Sequence, residues 1–465
     1  MDEVYLQNGI RNPLVAIANH SCPAKDPYEP ESIEALIHEV SDKMGWTEVG
    51  RGCFGKVVPA GAKVVIKPNL VLHFNQGNGG MLPLITHAEI LKCVTEQVLK
   101  ADPSSLIVGD APIQSCDFFR LLDESGINEW SQDLMSRDTR FKGVLDFRRT
   151  TCFFEKRMRM PSENIKPFEN YVLFNLKSES LLEPITSAKN PFRVTNYDPR
   201  LMENTHSHDN HQYLIAREII DSDVVINLPK LKTHKKAGIT SALKNLVGIN
   251  GNKEFLPHHR LGGAADGGDC YPGKSIPKRI LEAIYDLQNL NSQGWMVRAV
   301  SFVGAQIDRI LRLWGDRVGV EGAWRGNETV ARMTLDLNRI LQYGQTTATM
   351  SDVVQRRVIH IVDAIVAGQG DGPLSPEELH LNTLIAADNA AAADWVGALL
   401  LGYDPAEIPT LKLAFSNFHW PIAAFSRDDI SVMLDTAQLL CVNDLRNFLS
   451  GPQVKLPAGW ELAKA

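Results

Sequence analysis

The segment LPKLKTHKKAGITSALKNLVGINGNKEFLPHHR, Leu228 to Arg260, concentrates side chains that hold anions and move protons. It carries six lysines and one arginine against one glutamate, inside a chain of net charge −7. Lysine offers phosphate or carboxylate a compact positive point. Imidazole titrates near neutrality and suits general acid–base work. Lys230, Lys232, Thr233, Lys244 and Asn245 are therefore candidate substrate ligands, and His234 is a candidate proton-transfer group. Lys235 and Lys236 read as a solvated loop. His258, His259 and Arg260, followed by Asp266 and Asp269 in a glycine-rich stretch, have the composition of a loop that closes over a ligand.

Other strand ends contribute to the same pattern. The strand at 63–67 delivers Lys67 and Asn69, both expected to orient the ligand. The strand at 106–108 delivers Asp110, a candidate base or metal ligand. A late strand at 358–362 delivers Asp363, followed by Asp371 in the turn GQGDGP at 368–373. These two aspartates are candidate ligands for a divalent cation, which takes one or two carboxylates plus ligand oxygens; any other cofactor is unknown. Asp388 ends the strand at 383–387 and reads as a helix cap. In open α/β sheets, ligands sit outside the carboxyl ends of the strands. Polar groups gathered there would cost about 1–3 kcal/mol each if buried unpaired, so their convergence points to a site. The run THSHDNH places His206, His208 and His211 around Asp209. That spacing fits either a transition-metal site or a polar loop.

The elements that position these groups alternate strand and helix from Leu14 to Leu122, which implies parallel pairing. Thr86 and Glu89 have capping-box spacing ahead of a helix from His87 to about Lys100. After the basic segment, the pattern predicts a helix starting near Ile239. Further helices are expected at 278–290, 295–313, 330–341 and 390–401. The expected fold is α/β: a mostly parallel sheet with helices on both faces, an insertion after the first half and a helical C-terminal third. The units read as 1–149, a first α/β half; 150–212, an insertion or subdomain; 213–425, a second α/β half with a helical segment; and 426–465, a C-terminal extension. VVI recurs at 64–66 and 224–226, a hint of two related halves.

The 465 residues are 44% hydrophobic and 22% charged, ordinary for a globular protein. Net acidity argues against a nucleic-acid surface. The seven cysteines include no CxxC pair, so no local iron–sulfur or zinc spacing is present. Neither a signal peptide nor a bilayer-length apolar run stands out, so no membrane partner and a cytoplasmic location are expected.

The strings VVIKPNLV, Thr86-His87, VGDAP, VVINLPKLKTHKKAGITSALKNLVGIN, LPHHR with a later GGD, and IVDAIVAGQGDGP together resemble the domain-of-unknown-function 362 (DUF362) family. The resemblance runs from about Val64 to Gly402. It implies an architecture and motif positions rather than a reaction. Many members carry ferredoxin-like cysteine clusters, which this chain lacks. The leading expectation is a cytoplasmic enzyme acting on a small anionic metabolite, phosphorylated or carboxylated. The alternatives are an oxidoreductase or isomerase using a partner or unmatched cofactor, and a non-catalytic anion-binding accessory protein. Oligomeric state is not legible.

Overall fold

The protein is described from a computed structural model, covering residues 9–19, 26–155, 158–161, 165–290, 295–435, 438–448 and 454–461. One sheet of eleven strands organises it: β1 (Leu14–Asn19), β2 (Lys63–Pro68), β3 (Ser105–Asp110), β4 (Phe141–Asp146), β5 (Val224–Leu228), β6 (Lys230–His234), β7 (Gly238–Thr240), β8 (Arg357–Asp371), β9 (Ser375–Ala387), β10 (Ser431–Asp435) and β11 (Gln438–Cys441). The spatial order is β11-β10-β1-β9-β8-β5-β2-β3-β4, with β6 beside β8 and β7 beside β6. Strands β8, β5, β2, β3 and β4 are all parallel, whereas β9 runs antiparallel to both β8 and β1.

The parallel strands are β-branched because both their faces are covered. Val64, Ile66, Val224 and Ile226 face a core that includes the helices Pro30–Lys43 and Ala88–Lys100. Val65 and Val225 face a second core with the helix Thr329–Tyr343 and the strand Tyr171–Asn175. That strand pairs with Asn210–Ala216, so part of the 150–212 segment forms a small sheet of its own on the main body. The helix-rich C-terminal third includes Thr329–Tyr343 and Ala390–Leu400. The sheet is mixed and mostly parallel, flanked by helices on both faces, as expected.

Chain order fixes where a ligand fits. From β2 the chain steps outward to β3 and β4, then returns to place β5 on the other side of β2. The strand order therefore reverses between β2 and β5, and the carboxyl ends on either side of such a point splay apart to leave room for a ligand.

Four local expectations are corrected. Thr86 does not cap its helix; His87 does, its Nδ1 accepting the Glu89 N–H at 3.2 Å. The Thr86 hydroxyl instead donates to the Leu228 carbonyl at 2.6 Å and accepts the Asn69 N–H at 2.9 Å, tying the ends of β2 and β5 together. Asn389, not Asp388, caps the helix Ala390–Leu400, because Asp388 is held by Arg357 at 2.6 Å and Trp46 at 3.2 Å. The region near Ile239 opens as the short strand β7, and only Ala242–Asn245 is α-helical before a 3-10 turn. GQGDGP is not a free turn: its first four residues complete the 15-residue strand β8, hydrogen-bonded across to β9.

Candidate functional site

Lys67 leaves β2 fully buried, with Nζ 2.7 Å from Asp110 Oδ1 at the end of β3. The same ammonium donates to the Pro68 carbonyl at 2.7 Å and to Asn245 Oδ1 at 3.2 Å. Asp110 Oδ2 accepts the Leu70 N–H at 2.6 Å. Burial pushes Lys67 down and Asp110 up, and each charge opposes the other's shift. Gly248 lies directly against this pair, where a side chain has no room.

β6 carries the second set. Alternation along a strand sends Lys230, Lys232 and His234 to one face. Lys230 Nζ lies 2.5 Å from Asp363 Oδ2, 2.8 Å from the Tyr28 hydroxyl and 3.2 Å from the Val366 carbonyl, which engages all three of its protons. Asp363 also accepts the Tyr28 hydroxyl at 2.9 Å and the His87 N–H at 3.1 Å, while Tyr28 stacks on the His87 ring at 3.7 Å.

Lys232 differs in kind. It is equally buried, yet among the described residues it has no carboxylate partner; it donates to Asn69 Oδ1 at 2.8 Å and to the Leu84 carbonyl. Burial, and then Lys230, hold its ammonium well below the usual lysine range. Asn69 passes the network on to Asn245 at 3.0 Å, and Asn245 to Asn227 at 2.7 Å.

Lys244 is partly exposed and makes no ion pair among the described residues. Burial, then Lys236 and Lys67, bring it down to about 8. Asp394 starts its short helix by accepting the Ala242 N–H at 2.6 Å and the Leu243 N–H at 3.0 Å. Burial pushes that carboxyl up to about 7.

The two histidines here hold opposite tautomers. His234 Nδ1 accepts the Lys236 N–H at 3.0 Å and the Ala237 N–H at 3.2 Å, so a neutral ring carries its proton on Nε2. His258 Nδ1 lies 2.7 Å from the Leu256 carbonyl and must donate, which leaves Nε2 as an acceptor. Burial keeps both rings neutral, and Lys244, His258, Lys236 and Lys232 all add to the effect on His234.

The remaining candidates stand apart from this cluster. Thr233 donates to the Gly370 carbonyl at 2.8 Å. His259 is buried in a short pairing with Arg193, and Arg260 turns to Asp269 at 3.4 Å, so this stretch is built into the body rather than hinged over it. Asp371 is exposed at the far end of β8. It lies eight positions, on the order of 26 Å of extended strand, from Asp363. The two therefore cannot share a cation, which corrects that pairing. Asp371 lines a groove of about 730 Å³ with Glu377 and Glu378, an acidic setting unlike a phosphate loop. Glu183 binds both His208 and His211, the latter at 3.0 Å. No three His, Cys, Asp or Glu side chains converge as a metal site among the described residues.

Sequence reading gave no site role to Tyr28, Asn227, Gly248 or Asp394, and took Thr86 only for a helix cap. Only Asp394, a lone carboxylate in an alanine-rich helix, carried a signal that could have been read as buried chemistry.

Fold and cluster define an α/β protein with a lysine- and histidine-rich rim at its topological switch point. Residues 183–399, just under half of the chain, match the family described as "Domain of unknown function (DUF362)". The "Thylakoid-associated protein sll1697" of Synechocystis sp. is 26% identical over 197 residues, which are 42% of this chain and 38% of that protein. A crystal structure of a protein from Thermotoga maritima is similar with a TM-score of 0.32 at 10% identity, covering 80% of this chain and 59% of that one. The chain thus spans under two-thirds of either relative. No helix of the described residues is long and apolar enough to cross a membrane.

Proposed function

We propose that this protein is a cytoplasmic enzyme that binds a small phosphorylated or carboxylated anion at the ends of β2 and β5 and transfers a proton through His234 and His258. One observation carries the reading: Lys232 and Lys244 are lysines without carboxylate partners among the described residues, at a switch point where Lys67 and Lys230 are each paired. A buried ammonium lacking a counter-charge is costly, and a bound anion removes the cost. In this reading Lys232 and Lys244 hold the anion, while Asn69 and Asn245 fix Lys232 and Lys67. His234 donates from Nε2 and His258 accepts at Nε2. The pairs Lys67–Asp110 and Lys230–Asp363 form the rigid floor. The six described cysteines are all free, which supports a reducing compartment.

Titration calorimetry with inorganic phosphate, phosphoenolpyruvate and lactate tests the reading. Saturable binding of at least one, lost in Lys244→Met, is expected. No binding by the native chain of any anion in such a panel overturns it.

A further inference from the structure

Helices Ile276–Leu290 and Trp295–Leu313 form a pair beside the main body. Their inner faces pack on a small cluster of Cys270, Tyr271, Leu281 and Val320. Ion pairs at 2.8 Å between Lys278 and Asp316 and at 3.0 Å between Arg193 and Asp286 anchor the first helix. The outward face is apolar as well. Ile276, Ile280, Leu287 and Leu290 recur at helical spacing along the first helix and are 40–72% exposed. Phe302, Ile310, Leu313 and the adjoining Trp314 are 46–79% exposed on the second. Exposed apolar side chains clustered in this way, rather than scattered singly, mark an interaction surface.

Charge identifies the occupant. Residues 274–317 hold seven lysines and arginines against four acids, a local positive excess in a chain of net −7. Arg309 and Arg312 are exposed on the second helix, Arg312 with Asp308 at 2.8 Å one turn earlier, and Arg317 follows. Aromatic and aliphatic groups on one side with arginines beside them suit a helix lying in the plane of a bilayer surface. A two-fold contact with a second copy would set the positive excess against itself.

We propose that this helical pair is a lipid-facing surface that seats the protein on an anionic membrane. Phe302, Leu313 and Trp314 enter the acyl boundary, and Arg309, Arg312 and Arg317 meet the headgroup phosphates. Sedimentation of the full chain with phosphatidylcholine vesicles, with and without phosphatidylglycerol, tests it. Binding to the mixed vesicles should be at least about tenfold tighter than to the neutral ones and should weaken with salt. Phe302→Glu with Trp314→Glu should abolish sedimentation while the melting temperature holds. Arg309→Glu with Arg312→Glu should remove the preference for the anionic vesicles. Failure to sediment with either vesicle overturns the proposal. So does a native dimer by light scattering that Trp314→Glu converts to a monomer without any vesicle binding, which would make a second copy the occupant.

Discussion

Gly248 approaches Asp110 so closely that a Cβ added there would fall 2.0 Å from Oδ1, and 2.8 Å from Lys67 Nζ. Any side chain at 248 must part the buried Lys67–Asp110 pair or displace its own backbone, whose carbonyl accepts the Ala111 N–H at 2.9 Å. Breaking a buried ion pair costs about 3–5 kcal/mol. Gly248→Ala is expected to lose stability on that order, read as a lower urea midpoint with an unchanged slope.

Lys230 and Lys232 look alike in sequence but should behave oppositely. Lys230→Met strands Asp363 without its cation and is expected to destabilise by about 3–5 kcal/mol. Lys232→Met removes an ammonium that has no carboxylate partner among the described residues, so relief of desolvation offsets two lost hydrogen bonds. Its stability should shift by less than about 2 kcal/mol, while anion affinity drops at least about tenfold. Denaturation and calorimetry on the two variants separate the roles; equal melting of both would make Lys232 structural.

Anion affinity should follow the protonation of Lys244. Its ammonium is charged below about 8 and neutral above, so binding weakens as pH rises through that value. Calorimetry from pH 6.5 to 9.5 reads the slope, and Lys244→Arg, charged throughout, should flatten it.

Asp394 makes stability depend on pH in the opposite sense to an ion-paired carboxylate. Its carboxyl is raised from 3.8 to about 7, so over that interval the folded chain keeps a proton that the unfolded chain releases. Stability is therefore lost as pH rises from 3.8 to about 7. Asp394→Asn should lack this falling limb in chemical denaturation, and Asp394→Ala should also weaken anion binding by releasing the helix that presents Lys244.

Buried neutral histidines set the acid limit. Burial takes His206 and His360 down to about 3 and His87 to about 4, so below pH 6.5 the unfolded chain takes up protons the folded chain refuses. Stability should fall as pH drops from 6.5 toward 4. His206→Phe, placed beside Phe192 and Tyr213, should shallow that limb in thermal melts across the same range.

Strand and helix periodicity was legible wherever burial repeats locally: VVI at 64–66 and 224–226, and the amphipathic helices of the C-terminal third. Lys230, Lys232 and His234 were legible only as groups following a strand; that they lie on a strand of their own, and so share a face, emerged from the fold. Tertiary structure decided which of these groups is free. Whether a lysine is paired depends on residues far along the chain: Asp363 for Lys230, Asp110 for Lys67, and no carboxylate for Lys232 among the described residues. Caps shifted for the same reason, since Thr86 and Asp388 had distant partners whose bonds outweighed the local one. Local spacing specifies which face a side chain takes. Its charge state and its partner are set by long-range pairing and desolvation, which only the folded sheet brings about.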